Sequence, residues 1–193
     1  MIAALYKINK IGYDFQFLLA NYYDEIALGG GWAGNIKNAG FKGEITYFIS
    51  EDSSEKNSTS LSTSIDYSFK NGFYILASHL YNSNGFSEPY GFNLQAVTKN
   101  VLSPKNLMPS KNSFLIQVSA FVTPAINSSF TLLYGEGIDL FFFSPNISYE
   151  INESLDASII GQFFYMDDEF NPDMPVVILN KINGYYARLK WSF

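Results

Sequence analysis

Three groups of residues in this chain have types and spacings associated with chemistry. The only histidine, His79, lies in FYILASHLY. A serine–histidine hydrolase needs a nucleophile and an oriented base within hydrogen-bond reach. His79 shares a face with Phe73, Ile75, Ala77 and Tyr81, and no third group to orient its ring is legible nearby. GGGWAG (29–34) matches G-x-G-x-x-G. A dinucleotide site needs that motif between a strand and a helix, with an acidic residue about 20 positions on. Here it sits in a strand-like stretch followed by another strand, so it reads as small residues that let a strand bend or an inward group approach closely. The third group is a set of charges that recur on one face of successive strands. Lys7, Lys42, Arg188 and Lys190 stand against Asp14, Glu44, Asp66, Glu150 and Asp156, four positive against five negative. A strongly anion-selective pore requires a basic ring. This balance implies a weakly selective aqueous pore or a salt-bridged, filled interior, and strand number and loop folding decide between them. No catalytic residue, cofactor or metal is expected.

The elements that position these charges are strands. The dominant hydrophobic period is two. LSTSIDYSF puts Leu61, Thr63, Ile65, Tyr67 and Phe69 opposite Ser62, Ser64, Asp66 and Ser68. SLDASIIGQFFY and GYDFQFLLAN repeat the pattern. Eleven strands are expected, at about 2–8, 12–21, 25–34, 40–50, 59–69, 72–82, 112–122, 128–135, 140–151, 154–166 and 184–193. Most reach the ~9–11 residues that a tilted strand needs to cross a bilayer; an ordinary globular strand has about 5–6. The connections 10–12, 34–40, 69–73, 123–127 and 151–155 are short and turn-like. The longer ones, 51–58, 83–111 and 167–183, all fall on the other side, together with short links near 22–25 and 136–139.

Composition agrees. Aromatic residues make up 18% of the 193 and charged residues only 16%, against about 25% charged in a typical soluble domain. Mean hydropathy is near neutral at +0.01, because apolar residues are interleaved with polar ones. No apolar run is long enough for a membrane-spanning helix. The net charge of −6 argues against nucleic acid as a partner. With no cysteine, disulfides and thiolate chemistry are excluded. The sequons at Asn57, Asn127, Asn146 and Asn152 are read as chance in a Ser- and Asn-rich chain. Aromatics sort to strand ends on the apolar face: Tyr13, Phe41, Phe69, Phe73, Tyr149 and Phe193 at the short-turn end, Tyr47, Tyr81, Tyr134, Tyr165 and Tyr185 at the long-loop end. Such girdles mark the two interfaces of a transmembrane barrel. A soluble β-sandwich would also alternate, but nothing in it sorts aromatics this way.

The terminal GYYARLKWSF, with Tyr185, Leu189, Trp191 and Phe193 alternating and Ala187 the weak member, resembles the last strand of bacterial outer-membrane β-barrels, whose alternating apolar residues ending in Phe are read by the barrel-assembly machinery. GYDFQFLLANYYDEIALGGGWAGNIKNAGFKGEITY, IDYSFKNGFYILASHLYN and FSPNISYEINESLDASIIGQFF resemble porin-like outer-membrane proteins. The resemblance implies an all-β, antiparallel up-and-down transmembrane barrel in a Gram-negative outer membrane, with the bilayer and lipopolysaccharide as surroundings and passive passage of small solutes. It supplies no solute and no oligomeric state. A non-conducting structural or adhesive barrel, and a membrane-embedded hydrolase, are the alternatives.

The last strand must run downwards, and counting back makes the first run downwards too. Barrels normally start upwards with an even total. The expectation is therefore that the chain is the C-terminal part of a longer barrel, consistent with the absence of a convincing signal peptide in MIAALYKINKIGYDFQ. Open edges are costly in lipid, so such a chain forms a curved open sheet, closes imperfectly or does not insert. Within 83–111, NLQAVTKNVL reads as a short helix stopped by Pro104, on a loop that folds into the barrel mouth or stays on the surface. Glu51, Asp52, Glu55, Asp167, Asp168, Glu169 and Asp173 read as ordinary solvated acidic loops, or as ligands for cations bridging lipopolysaccharide phosphates.

Overall fold

The computed structural model describes residues 2–51, 56–87, 103–105, 107–166 and 181–192. The helix expected over 93–102, most of the acidic loop residues and Phe193 lie outside them. The described residues form eleven strands and no helix: β1 (Ile2–Lys10), β2 (Tyr13–Tyr22), β3 (Glu25–Ile36), β4 (Ala39–Ser50), β5 (Ser58–Ser68), β6 (Tyr74–Asn82), β7 (Asn112–Thr123), β8 (Ile126–Glu136), β9 (Leu140–Asn152), β10 (Leu155–Met166) and β11 (Lys181–Trp191). They make one antiparallel sheet in sequence order. The two-sheet sandwich is therefore not what these residues build.

Tight turns hold the register. Ile11 (φ 56) and Gly12 (φ 77) both take positive φ, the backbone signature of a type I′ hairpin whose twist matches its strands. β3 and β4 run closer together than the sequence implies. Only Lys37 and Asn38 separate them, with Lys37 at φ 57, where a seven-residue turn over 34–40 was expected. At the same end, Phe69 and Phe73 lie just beyond β5 and β6, their rings packed edge to face at 5.5 Å. Register irregularities are confined to the ends of β7 and β10.

Because directly paired residues share a face, the ladders carry two surfaces across all eleven strands. One rung runs Lys7–Gln16–Gly31–Glu44–Ser62. Another runs Phe114–Tyr134–Phe141–Tyr165. The aromatic face is widely uncovered: Ile159 is 71%, Tyr185 74% and Trp191 75% exposed. The largest buried apolar cluster is small, Ala20, Ala27 and Phe48 with Leu18 and Tyr22 against it, and it lies on the opposite, polar face.

The sheet does not close. Among the described residues β1 pairs only with β2, and β11 only with β10. With eleven antiparallel strands, β1 and β11 run in the same direction, so a direct seam between them would be the one parallel pairing in the sheet.

Candidate functional site

All nine charges named from the sequence fall on the polar face. Lys7 lies opposite Gln16, and Asp14 opposite Ala33. Lys42 and Glu44 pair with Ser64 and Ser62, and Asp66 with Gly40. Glu150 and Lys190 flank Asp156, and Arg188 pairs with Ser158. All nine also occupy the halves of their strands nearer the short turns, an axial sorting that the sequence reading did not draw. They form two groups, one on β1, β2, β4 and β5, the other on β9, β10 and β11. Between them β6, β7 and β8 present uncharged residues such as Ser78, Gln117, Ser119 and Thr131.

Some of these charges are already engaged. Lys42 Nζ lies 3.3 Å from Asp66 Oδ1. Asn9 Nδ2 donates to Asp14 Oδ1 at 2.7 Å, and Arg188 donates to Ser158 Oγ at 3.3 Å. Lys7 and Glu44 have no ion-pair or hydrogen-bond partner among the described residues.

A hollow of about 750 Å³ opens on this face over β1 to β5, bordered by Lys7, Asp14, Gln16, Lys42, Glu44 and Ser62. Ala33 of β3 borders it, and the neighbouring polar-face positions Gly31 and Gly29 of that strand are also small. A Cβ on Gly31 would come within 2.8 Å of the Gln16 amide. Gly29 and Gly31 of the G-x-G-x-x-G match thus leave room beside side chains of the adjacent strand, inside a strand that is followed by another strand.

Towards the long-loop end the polar face becomes apolar. Tyr22 and Phe48 rings meet at 5.9 Å and Phe142 and Phe164 at 4.5 Å. Here the described residues 103–105 and 107–111 of the β6–β7 connection meet the sheet. Lys105 Nζ reaches Glu25 Oε1 on β3 at 2.6 Å, from 80 residues away, and Glu25 is 6% exposed. Ser103, Pro104 and Leu107 bound a second hollow of about 450 Å³ with Glu44, Thr46 and Ser60. The described part of this loop lies against the polar face. The sequence reading missed both partners. Glu25 shares parity with Ala27 and Gly29 and was legible as a polar-face charge; nothing local marks Lys105.

On the aromatic face, Tyr13, Phe41, Tyr149 and Trp191 lie at the short-turn end and Tyr47, Tyr81, Tyr134, Tyr165 and Tyr185 towards the other end. Tyr134 meets Phe141 at a tilt at 4.7 Å, Phe143 stacks on Phe163 at 4.5 Å, and Phe163 meets Tyr185 edge-on at 5.6 Å. His79 is also on this face, stacked on Phe114 at 4.8 Å. The expectation that nothing orients its ring is corrected: His79 Nε2 lies 3.1 Å from Asn112 Oδ1, and Asn112 Nδ2 donates to Glu136 Oε2 at 2.8 Å. No serine or threonine hydroxyl is hydrogen-bonded to His79 among the described residues, so an oriented ring is present without an engaged nucleophile.

Comparison with protein-family models, with curated proteins and with solved structures found no match.

Proposed function

We propose that this chain forms wall strands of a porin-like β-barrel in a bacterial outer membrane, with the aromatic face against lipid and the polar face lining a route for small solutes. The observation that carries this reading is the single two-faced register across eleven strands, with one face apolar, banded by aromatics and uncovered. An exposed apolar surface of this extent is a binding surface for something, and its banding fits a bilayer. An eleven-residue strand such as β5, tilted by about 40°, spans about 28 Å. That matches an apolar band of about 25 Å. Short turns at one end and longer loops at the other fit the periplasmic and outer sides. On this reading β11 is the strand presented to the assembly machinery, and lipopolysaccharide surrounds the long-loop end.

The test is reconstitution of the full-length protein into planar bilayers. Discrete conductance steps with weak ion selectivity are expected, given four positive and five negative charges along the route. Their absence, in protein shown to be inserted, would overturn the conducting reading. A second reading, a non-conducting structural barrel, is favoured by one observation: the segment carrying Lys105 lies against the polar face over β3 to β5, towards the end where Phe48 is already buried on that face. Inserted but silent protein is its expected outcome.

A further inference from the structure

We infer that the hollow over β1 to β5 is a binding site for a short zwitterionic peptide of about three residues. The inference deepens the porin-like reading and rests on it only in that the polar face must be wetted.

The geometry is set by one rung. Lys7 on β1 and Glu44 on β4 occupy the same rung, separated by Gln16 and Gly31. Three inter-strand spacings of about 4.8 Å put their backbones about 14 Å apart. Both side chains are exposed and neither has a partner among the described residues, although the neighbouring charges Asp14, Lys42 and Asp66 are held by Asn9 or by each other. Glycine at position 31 leaves nothing standing between Lys7 and Glu44 except the Gln16 amide. The space above, about 750 Å³, accommodates a small peptide.

The charge pattern selects the ligand class. An anion drawn to Lys7 or Lys42 meets Glu44 and Asp14; a cation drawn to the carboxylates meets the lysines. A molecule with one charge of each sign, held apart, satisfies both free groups. Its ammonium donates to the Glu44 carboxylate and its carboxylate accepts from the Lys7 ammonium, each a charge-assisted hydrogen bond. Side chains standing perpendicular to the sheet keep the two charged ends about 14 Å apart; a charge-assisted hydrogen bond of about 2.8 Å at each end leaves about 9 Å, close to the ~10 Å of an extended tripeptide. Gln16, with one carbonyl and one amide, and the hydroxyls of Ser62 and Ser64 match the alternating donors and acceptors of peptide groups. Sugars fit less well, because Phe15 and Trp32, the aromatics that border the hollow, belong to the opposite face and offer no stacking platform.

The experiment is equilibrium dialysis of the folded full chain in detergent with trialanine, N-acetyl-trialanine and trialanine amide. Saturable binding of trialanine is expected, with each cap weakening it about tenfold or more, because each removes one charged partner. Glu44→Gln should erase the discrimination against the N-acetyl peptide and keep that against the amide. Lys7→Met should do the converse, a crossed pattern that general damage to the fold does not produce. Equal binding of free and capped peptides, no saturable binding, or variants that leave both preferences intact would overturn the site. Dialysis does not require conduction, so the two readings fail separately. Binding by a chain that never conducts leaves the site and removes the channel; conduction without binding does the reverse.

Discussion

Ile11 is a β-branched residue in the left-handed region, with φ 56, and its side chain is 89% exposed. Its position repays none of the strain through packing, since the turn demands the conformation and the side chain touches little. Asparagine adopts this conformation more readily and is favoured in such turns. Ile11→Asn should therefore stabilise the folded chain by about 1 kcal/mol, read as a rise in the urea midpoint in detergent; an unchanged midpoint would mean the strain is relieved elsewhere. The opposite sign is expected at Gly43. A Cβ there would lie 2.4 Å from Cζ2 of Trp32 and 2.7 Å from the backbone oxygen of Ser62. The indole can tilt away, but the carbonyl belongs to the β4–β5 ladder. Gly43→Ala should cost about 2 kcal/mol through overpacking, with a shift in tryptophan emission as the ring is displaced.

The described part of the β6–β7 connection is tied to the sheet at two places. Its base is fastened at the long-loop end: Asn82 Nδ2 donates to the Met108 carbonyl at 3.3 Å, and Ser110 and Ser113 hydroxyls meet at 2.6 Å. Its reach across the polar face depends on Lys105 meeting Glu25. Removing one member of a buried pair leaves the other uncompensated. Lys105→Met should accordingly cost about 3 kcal/mol. The double variant with Glu25→Gln should cost clearly less, since no isolated carboxylate remains. Denaturant titration of the single and double variants checks this; equal losses would mean the pair contributes nothing as a pair. On the porin-like reading, both variants free this segment and should raise single-channel conductance. This element was half legible in the sequence. Alternation assigned Glu25 to the polar face, but a contact spanning 80 residues from an irregular segment has no periodic signature.

For the molecule as a whole, the membrane reading turns on which face meets lipid. Ile116 and Gln117 are adjacent on β7 and point to opposite faces, Ile116 pairing with Ala77 and Gln117 with Leu76. If the aromatic face lies in lipid, Ile116→Lys should cost about 2–4 kcal/mol in vesicles. Gln117→Lys should stay within about 0.5 kcal/mol, as an ordinary exposed polar substitution does. Urea titration in lipid vesicles gives both values, and equal costs would count against the bilayer assignment. The unpaired edges at β1 and β11 bear on assembly as well, since long unpaired strands recruit other strands. Lys7, Lys10, Lys181, Arg188 and Lys190 sit on those two edge strands with no acidic residue among them, so direct pairing of one edge with the other would bring like charges together.

Strand number, strand faces and the placement of all nine charges on one surface were legible in the residue order. These are local properties: Cβ direction alternates along any strand, and short turns lock each register to the next, because a slip of one residue would exchange the faces. Strand ends were less legible. β8 begins at Ile126 and β11 runs from Lys181 to Trp191, two and three residues earlier than alternation implies, because backbone pairing continues past the last well-patterned side chains. The relay from His79 through Asn112 to Glu136, the meeting of Lys105 with Glu25 and the hollow over β3 came from the folded arrangement. Each joins residues far apart in the chain, at a depth along the strands set by register accumulated over several hairpins. Whether the sheet closes is also a property of curvature and strand count summed over the whole sheet, to which no single stretch of sequence is sensitive.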